Sequence, residues 1–285
     1  LELLLAQVLG EKKTVLMDDP TYLQAYRTFS NMGYLVKNIP AEQGSMPIEA
    51  VRRENADILY VMPSHQFPLG TVMPLKQRLE LLKWASEKEG RYLIEDDYDS
   101  EFRYKGKPIP ALQGMDQTGS VVYMGTFSKA IAPAIRVGYM VLPESLLSVY
   151  RKKGRFYSST VSRVDQRILA NFISGGYFER HLNRMREIYK GKHDVLLGAL
   201  KPLEKRFEIK GEYAGLHVLL TDRKGEAEQA LLAKAEEKKV RVYGLSGFCM
   251  EERRAKESHT IVLGYAGLTE EEIRKGVELL REALE

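Results

Sequence analysis

The chain has 285 residues, of which 44% are hydrophobic and 29% charged, a composition typical of a folded protein with one large domain or two moderate ones. Its 43 lysines and arginines are interspersed with 39 acidic residues, so the net charge of +4 does not make nucleic acid the obvious partner of this segment. The single cysteine, Cys249, excludes an intrachain disulfide framework and a CxxC metal site, which fits a reducing cytoplasm, and no apolar run approaches the ~20 residues of a membrane span.

The first nine residues, LELLLAQVL, predict a helix that is already under way at Leu1 and ends at Gly10. No capping residue precedes this helix. We therefore expect further residues on the N-terminal side of the segment.

Short β-rich runs then alternate with helical stretches. Several of these runs are almost continuously apolar, as expected for strands of a parallel sheet that helices cover on both faces. The predicted strands are Thr14–Met17, Tyr34–Ile39, Asp57–Met62, Arg91–Ile94, Ser120–Met124 and Val137–Leu142, and Leu75–Lys88 is a predicted helix. This order predicts an α/β domain with a mostly parallel central sheet.

Beyond about Tyr150 the pattern changes to long helices, followed by a smaller α+β domain. The predicted helices are Val161–Phe172, Tyr177–Leu200, Glu226–Lys238 and a closing helix with a capping box at Thr269 and Glu272, and the predicted strands are Leu216–Leu220, Val240–Tyr243 and Thr260–Tyr265. We expect a large domain over residues 1–175 and a small C-terminal domain over residues 176–285.

Polar clusters follow three of the predicted strands. They are PSHQFPLG (63–70), EDDYDSEFRY (95–104) and TFSK (126–129). Because open α/β sheets bind ligands beyond the carboxyl ends of their strands, we expect these clusters to form one site.

A lysine held at a strand end can form an imine with an aldehyde cofactor if the amine is partly neutral. Pyridoxal phosphate also needs a carboxylate at its ring nitrogen, a donor near its phenolate oxygen, an aromatic face, and hydroxyls with an arginine for its phosphate. The candidates are Lys129 for the imine, Asp96 for the ring nitrogen, Tyr98 for the phenolate, Tyr22 for stacking, and Thr126, Ser128 and Arg136 for the phosphate. Asp97 or Glu95 could replace Asp96, Tyr22 and Tyr98 could be core aromatics, and Arg136 could be a structural ion-pair partner.

Five motifs resemble the fold-type I aminotransferases over essentially the whole chain. They are DDPTY (18–22), PSHQFPLG (63–70), EDDYDSEFRY (95–104), TFSKAIAPAIRVGY (126–139) and GYAGLTEEEIRKGVELL (264–280). Within that group, PSHQFP together with EDDYDSEFRY is similar to the aminotransferase-like domain of MocR/GabR-type regulators of the GntR family. The resemblance favours Asp96 over its two acidic neighbours, and it implies a pyridoxal phosphate cofactor and a homodimer.

Two positions depart from the aminotransferase pattern. Phe67 stands where many aminotransferases have an asparagine that bonds the cofactor phenolate, so Tyr98, with His65 or Gln66 nearby, would supply that contact. His65 is therefore included among the candidate cofactor contacts, although a turn histidine is more often satisfied locally. Val262 stands where an arginine usually binds the α-carboxylate of a substrate, which makes ordinary transamination less favoured than ligand binding.

The resemblance implies a cytoplasmic bacterial transcription regulator in which this chain binds an effector, and an N-terminal winged-helix domain outside it binds DNA. The effector would be an amino-acid-like molecule, with 4-aminobutyrate as the first candidate, that displaces Lys129 to form an external aldimine. Its carboxylate would meet Arg241 or, as a weaker candidate, Arg27. The alternative is a working aminotransferase acting on 2-aminoadipate or an aromatic amino acid.

Overall fold

The larger of two β-sheets in the chain has six strands among the residues that the computed structural model describes, which are 1–41, 46–107, 109–154, 157 and 160–285. Its strands are β1 (Thr14–Asp19), β2 (Leu35–Pro40), β3 (Ile58–Val61), β4 (Tyr92–Asp97), β5 (Val121–Thr126) and β6 (Gly138–Val141). They lie in the order β2-β1-β3-β4-β5-β6, and all neighbours are parallel except β5 and β6. The predicted mostly parallel sheet is therefore confirmed.

The smaller sheet is antiparallel and lies in the C-terminal part of the chain. Its strands are β7 (Phe207–Lys210), β8 (His217–Asp222), β9 (Tyr243–Gly244) and β10 (Thr260–Gly264), in the order β7-β8-β10-β9. This sheet confirms the predicted smaller α+β part, although strand β7 was not predicted.

Helices cover both sheets. They are α1 (Glu2–Leu9), α2 (Leu23–Asn31), α3 (Ile48–Glu54), α4 (Leu75–Ser86), α5 (Leu112–Met115), α6 (Glu144–Lys153), α7 (Arg163–Ser174), α8 (Tyr177–Leu200), α9 (Glu228–Glu237), α10 (Glu252–Lys256) and α11 (Glu270–Leu284). The predicted capping box of α11 is confirmed, with reciprocal bonds between Thr269 and Glu272. The proposed domain boundary at residue 175 falls in the turn between α7 and α8. Among the described residues, no helix is both long and apolar enough to cross a membrane.

Strand β1 shows why its apolar run is continuous. Side chains of a strand alternate between the two faces of its sheet. Val15 and Met17 pack with α1 and α2 on one face, and Leu16 packs with α3 and α4 on the other. Both faces of the sheet are therefore core at its inner strands.

The predicted strand Val240–Tyr243 is wrong at its start, because β9 begins only at Tyr243. Val240 and Val242 pack against the core of the smaller sheet instead of pairing in it, and the backbone N–H of Val240 donates to the carbonyl of Ala235 at the end of α9. Arg241 therefore precedes the strand, and its side chain is exposed.

The segment that follows β3 comes very close to the smaller sheet at a pair of glycines. Gly70 ends the polar segment 63–70 after β3, and Gly211 follows β7. A Cβ atom on Gly70 would lie 2.5 Å from the Cα of Gly211, which is far inside van der Waals contact. Beside them, His217 of β8 contacts the carbonyl of Pro68 at 2.8 Å through Nε2. The segment 63–70 is thus packed directly against the smaller sheet.

Candidate functional site

A cavity of about 530 Å³ opens at the carboxyl ends of the parallel strands. It is lined by Leu1, Glu2, Tyr22, Met62, Phe67, Asp96, Tyr98, Met124, Gly125, Thr126, Ser128, Lys129, Arg136, Val137 and Gly138. Seven of the eight candidate cofactor residues are in this set, the exception being His65. Because the carboxyl ends of the parallel strands lie together, residues from distant parts of the sequence meet at one place, as the rule for ligand sites in open α/β sheets predicts.

The lysine lies just after β5, in a turn that a threonine organises. Thr126 Oγ1 donates to the carbonyl of Val137 at 3.3 Å and accepts from the backbone N–H of Ser128 at 3.1 Å. Lys129 follows with an exposed side chain at the cavity wall. The turn therefore presents two hydroxyl residues and an amine on one side of the cavity.

Arg136 reaches the same wall from the return of the chain towards β6. Its backbone is in the left-handed region, with φ 50° and ψ 34°, and its side chain is exposed. Among the described residues, no carboxylate lies within ion-pair distance of its guanidinium, so the alternative of a structural ion pair has no support there. Its charge is available to an anion in the cavity.

The three consecutive acidic residues of β4 and its end have different surroundings. Glu95 is fully buried away from the cavity, where it accepts hydrogen bonds from the backbone N–H groups of Leu112 and Gln113, each at 2.9 Å. Asp97 accepts from the Tyr123 hydroxyl at 2.8 Å. Asp96, between them, lines the cavity. Strand alternation therefore leaves one carboxylate of the three for a ligand.

Asp96 has a partner that the sequence analysis missed. The hydroxyl of buried Tyr60, in the adjacent strand β3, donates to its carboxylate. Burial nevertheless raises the pKa of Asp96 to about 7. A buried carboxylate with a raised pKa favours a ligand that is positively charged or donates a hydrogen bond, because such a ligand stabilises the ionised form.

Aromatic rings form another wall of the cavity. Phe67 packs edge to face against Tyr22, with ring centroids 6.3 Å apart, and against Tyr98 at 6.1 Å. Burial raises the pKa of the Tyr98 hydroxyl well above its ordinary value, so this group is a hydrogen-bond donor at neutral pH. Tyr22 is half-buried at the start of α2 and presents an aromatic surface to the cavity.

His65 lies behind this wall. It is 1% exposed, and its Nδ1 atom is 2.8 Å from the Tyr98 hydroxyl and 2.9 Å from a carboxylate oxygen of Asp99. Gln66 is turned away, with its amide donating to Asp18 and to the carbonyl of Pro20. Of the two side chains considered as substitutes for an asparagine, only His65 contacts Tyr98.

The two candidate effector arginines are outside the set of cavity-lining residues. Arg27 is exposed on α2, and the exposed guanidinium of Arg241 lies 5.5 Å from the centre of the Tyr243 ring. Val262 is buried in β10, paired with Leu219 and Tyr243. The role of either arginine in binding a carboxylate stays a prediction.

Glu2 is a second acidic residue of the cavity that the sequence analysis did not identify. It lines the cavity from the first turn of α1, and Thr28 Oγ1 donates to it at 3.5 Å. Burial raises its pKa. A single acidic residue in the first turn of a helix is ordinary, so the sequence carried no signal for this position.

Comparison with known proteins agrees with this geometry. The family described as aminotransferase class I and II matches residues 1–280. The chain belongs to this family.

Regulators are among the relatives of this aminotransferase-family chain. It is 38% identical over 281 residues to the HTH-type transcriptional regulator YdeL of Bacillus subtilis, covering 98% of the chain and 60% of that protein. It is 32% identical over 284 residues to the probable rhizopine catabolism regulatory protein MocR of Rhizobium meliloti, covering 99% of the chain and 57% of that protein. The predicted resemblance to an aminotransferase-like domain of such regulators is confirmed, and the chain spans about three fifths of their length.

Solved aminotransferase structures share the fold. The α-aminoadipate aminotransferase LysN of Thermus thermophilus, complexed with N-(5'-phosphopyridoxyl)-L-leucine, superposes with a TM-score of 0.84 at 27% identity, covering 99% of this chain and 74% of that one. The kynurenine aminotransferase of Pyrococcus horikoshii gives a TM-score of 0.84 at 27% identity, covering 100% and 73%. The family and these structures imply pyridoxal phosphate as the cofactor.

The donor set of the cavity fits that cofactor. One wall carries an amine, two hydroxyls and a guanidinium, in Lys129, Thr126, Ser128 and Arg136. The remaining walls supply the carboxylate of Asp96 and the rings of Tyr22, Phe67 and Tyr98. An aldehyde, a phosphate dianion and a basic ring nitrogen each find a complementary group among these residues.

Proposed function

We propose that this chain is the cofactor-binding and effector-binding domain of a pyridoxal phosphate-dependent bacterial transcription regulator. The observation that carries the proposal is the convergence of Lys129, Asp96 and Tyr98 on one cavity, in a chain whose relatives include HTH-type regulators. Val262, at the position where the resemblance leads us to expect an arginine for an α-carboxylate, favours effector binding over transamination.

Each residue has a distinct task in this proposal. When bound, pyridoxal phosphate supplies an aldehyde carbon that reacts with amines and a ring that withdraws electrons. Lys129 would hold the aldehyde carbon covalently, Asp96 would accept a hydrogen bond from the protonated ring nitrogen, and Tyr98 would donate to the phenolate oxygen. Tyr22 would cover the ring, and Thr126, Ser128 and Arg136 would bind the phosphate.

The effector would be an amino-acid-like molecule whose amine takes the place of the Lys129 amine. Because Val262 cannot bind a carboxylate, the acid group of the effector is bound elsewhere, with Arg241 as first candidate and Arg27 as second. A molecule with its amine and carboxylate well separated, such as 4-aminobutyrate, suits this arrangement better than an α-amino acid.

The regulator works as a homodimer in the cytoplasm, and a winged-helix domain outside this chain binds DNA. Helix α7 supports the dimer, since none of its residues is buried although Val164 and Ile168 are apolar. Their side chains are 68% and 61% exposed. An apolar helix face of this kind is typical of a subunit interface.

The test is to load the purified chain with pyridoxal phosphate and add 4-aminobutyrate, 2-aminoadipate or an aromatic amino acid, each with and without a 2-oxo acid. A regulator domain should show a saturable spectral change with 4-aminobutyrate and no multiple-turnover formation of a new amino acid. Sustained turnover with an α-amino acid would support the alternative. A winged-helix sequence encoded directly upstream of Leu1 would support the regulator independently, and an uninterrupted aminotransferase sequence there would contradict it.

The alternative function is a catalytically active aminotransferase. It is favoured by the retained set of an amine, a carboxylate and a tyrosine around the cavity, and by the relatives that act as enzymes. One of these is the 2-aminoadipate transaminase of Thermus thermophilus, 29% identical over 286 residues, covering 97% of this chain and 70% of that protein.

A further inference from the structure

We infer that the Asp99 and His65 pair positions the Tyr98 hydroxyl so that its proton is free for donation into the cavity. This inference rests on the proposed function, because it concerns the group that meets the cofactor phenolate. It assigns His65 and Asp99 as positioning residues that act through Tyr98. Neither His65 nor Asp99 lines the cavity.

The three side chains meet at a single nitrogen atom. His65 Nδ1 lies 2.9 and 3.1 Å from the two carboxylate oxygens of Asp99 and 2.8 Å from the oxygen of Tyr98. The imidazole and the carboxylate are buried, with residue exposures of 1% and 2%. Water therefore does not compete for these contacts, and each hydrogen bond is stronger than at a surface.

The chemistry of the partners decides where the protons lie. An ionised carboxylate only accepts hydrogen bonds, so Nδ1 must carry the ring proton that faces Asp99. A protonated Nδ1 has no lone pair in the ring plane, so it cannot accept a hydrogen bond from Tyr98. The Tyr98 oxygen instead accepts from the same N–H, in a bifurcated hydrogen bond shared with Asp99. The hydrogen of the Tyr98 hydroxyl is left free, and Tyr98 lines the cavity.

The far side of the imidazole agrees with this tautomer. Nε2 of His65 is buried and has no hydrogen-bond partner among the described residues. An unpaired lone pair there is less costly than an unpaired N–H in a charged ring. The neutral ring with its proton on Nδ1 therefore fits both sides of His65.

Close packing fixes the ring in this orientation. A Cβ atom on Gly215 would come within 1.8 Å of the imidazole, and the φ angle of Gly215 is +78°. The ring of His217 lies on another side, with centroids 4.9 Å apart, and burial lowers the pKa of His217 to about 4. His217 is thus neutral and adds no positive charge next to His65.

This arrangement compensates for Phe67 at the position where many aminotransferases, by resemblance, have an asparagine. Phe67 offers the phenolate no polar atom, so Tyr98 is the donor on that side. If the Tyr98 hydroxyl donated its proton to His65, it could not donate into the cavity. Asp99 keeps Nδ1 of His65 protonated, so Nδ1 cannot accept the Tyr98 proton.

The first experiment reads the tautomer directly in the cofactor-free chain, by nitrogen-15 NMR of the histidine rings. Wild type should show His65 protonated at Nδ1 and unprotonated at Nε2. Asp99→Asn, whose amide can donate to Nδ1, should move the proton to Nε2. A wild-type His65 protonated at Nε2 alone would overturn the inference.

The second experiment measures the dissociation constant for pyridoxal phosphate by the visible absorbance band. Tyr98→Phe and Asp99→Asn should each weaken binding about three- to tenfold, and the double variant should be no weaker than Tyr98→Phe alone. Asp97→Asn is the matched control, because Asp97 bonds Tyr123 instead, and its affinity should be unchanged. His65→Gln, which keeps a donor, should bind more tightly than His65→Leu.

The outcomes separate the inference from the proposed function. Independent, additive losses in Tyr98→Phe and Asp99→Asn would overturn the inference while leaving the proposed function intact. A wild-type chain that binds no pyridoxal phosphate would contradict the proposed function, and the NMR measurement would still decide the His65 tautomer. If Asp99→Asn does not fold, equal affinities of His65→Gln and His65→Leu would count against the inference.

Discussion

The Tyr60 hydroxyl donates a hydrogen bond to Oδ2 of Asp96 across the parallel strands β3 and β4. This bond favours the charged carboxylate, whereas burial of Asp96 favours the neutral acid and has the larger effect, so the pKa rises to about 7. Tyr60 thus fixes the position of the Asp96 carboxylate, whereas the charge of this carboxylate depends on the group that faces it in the cavity. A protonated ring nitrogen in the cavity would keep the carboxylate ionised.

The pH dependence of stability should report this carboxylate in the cofactor-free chain. An unfolded aspartate has a pKa of about 3.9. Between that value and about 7, the folded chain holds a proton that the unfolded chain releases, so the free energy of unfolding falls as pH rises. From pH 5 to 8, wild type should lose about 1 to 3 kcal/mol more than Asp96→Asn in urea unfolding. Parallel pH profiles for the two proteins would contradict the raised pKa.

Replacement of Lys129 by alanine should abolish covalent attachment of pyridoxal phosphate, because no other lysine is among the described residues that line the cavity. Borohydride reduction followed by peptide mass spectrometry measures the attachment site. Lys105→Ala is a suitable control, since Lys105 is an exposed lysine paired with Glu212 outside the cavity. A reduced adduct that persists in Lys129→Ala would show that another lysine is the site.

Asp96→Asn should weaken the binding of pyridoxal phosphate about ten- to a hundredfold, the loss expected when a charge-assisted hydrogen bond becomes a neutral one. Equilibrium titration of the visible absorbance band measures this change. Asp97→Asn is the matched control, because it makes the same substitution at the next position of β4. It should bind like wild type, since Asp97 accepts a hydrogen bond from Tyr123 instead of lining the cavity. A large loss in Asp97→Asn with none in Asp96→Asn would mean that Asp97 is the ring-nitrogen partner.

Arg241→Gln should weaken the response of the loaded domain to 4-aminobutyrate about ten- to a hundredfold, through loss of a charged hydrogen bond to the effector carboxylate. The measurement is a titration of the absorbance spectrum with 4-aminobutyrate, repeated with Arg27→Gln for the weaker candidate. Normal affinity for 4-aminobutyrate in both variants would exclude the two arginines as ligands of the effector carboxylate. A spectrum unaffected by 4-aminobutyrate, with turnover of an α-amino acid, would reject both the effector and the regulator.

Light scattering of the chain at micromolar concentration should give about twice 32.5 kDa. Ile168→Glu, which places a charge on the exposed apolar face of α7, should shift the mass to that of the monomer. Leu79→Glu is the matched control, because Leu79 is also exposed, at 52%, but lies on α4. A wild-type monomer with bound cofactor would contradict the dimer.

The location of the cavity could be predicted because parallel strands bring their carboxyl ends to one edge, whatever their separation in sequence. Which acidic residue of β4 faces the cavity depends on strand register, and the family resemblance supplied that choice for Asp96. Tyr60 was missed because a tyrosine in an apolar run reads as core, and only the pairing of β3 with β4 brings its hydroxyl to Asp96.

The wrong start of the predicted strand Val240–Tyr243 has a different cause. Val240 and Val242 have high strand propensity, but contacts with the core next to α9 decide their conformation. The short strand Phe207–Lys210 was missed because two of its four residues are charged and a long partner strand, β8, supplies its hydrogen bonds. Tertiary contacts of this kind leave no local pattern in the sequence.

The contact between Gly70 and Gly211 links the shape of the cavity to the C-terminal half of the chain. Neither glycine has a side chain that could slide or bend, so the backbones touch without any compliant layer between them. A tilt of the smaller sheet towards this contact would displace the segment 63–70, and Phe67 in that segment forms part of the cavity wall. A ligand that displaces Phe67 would therefore transmit that displacement through Gly70 and Gly211 to the smaller sheet.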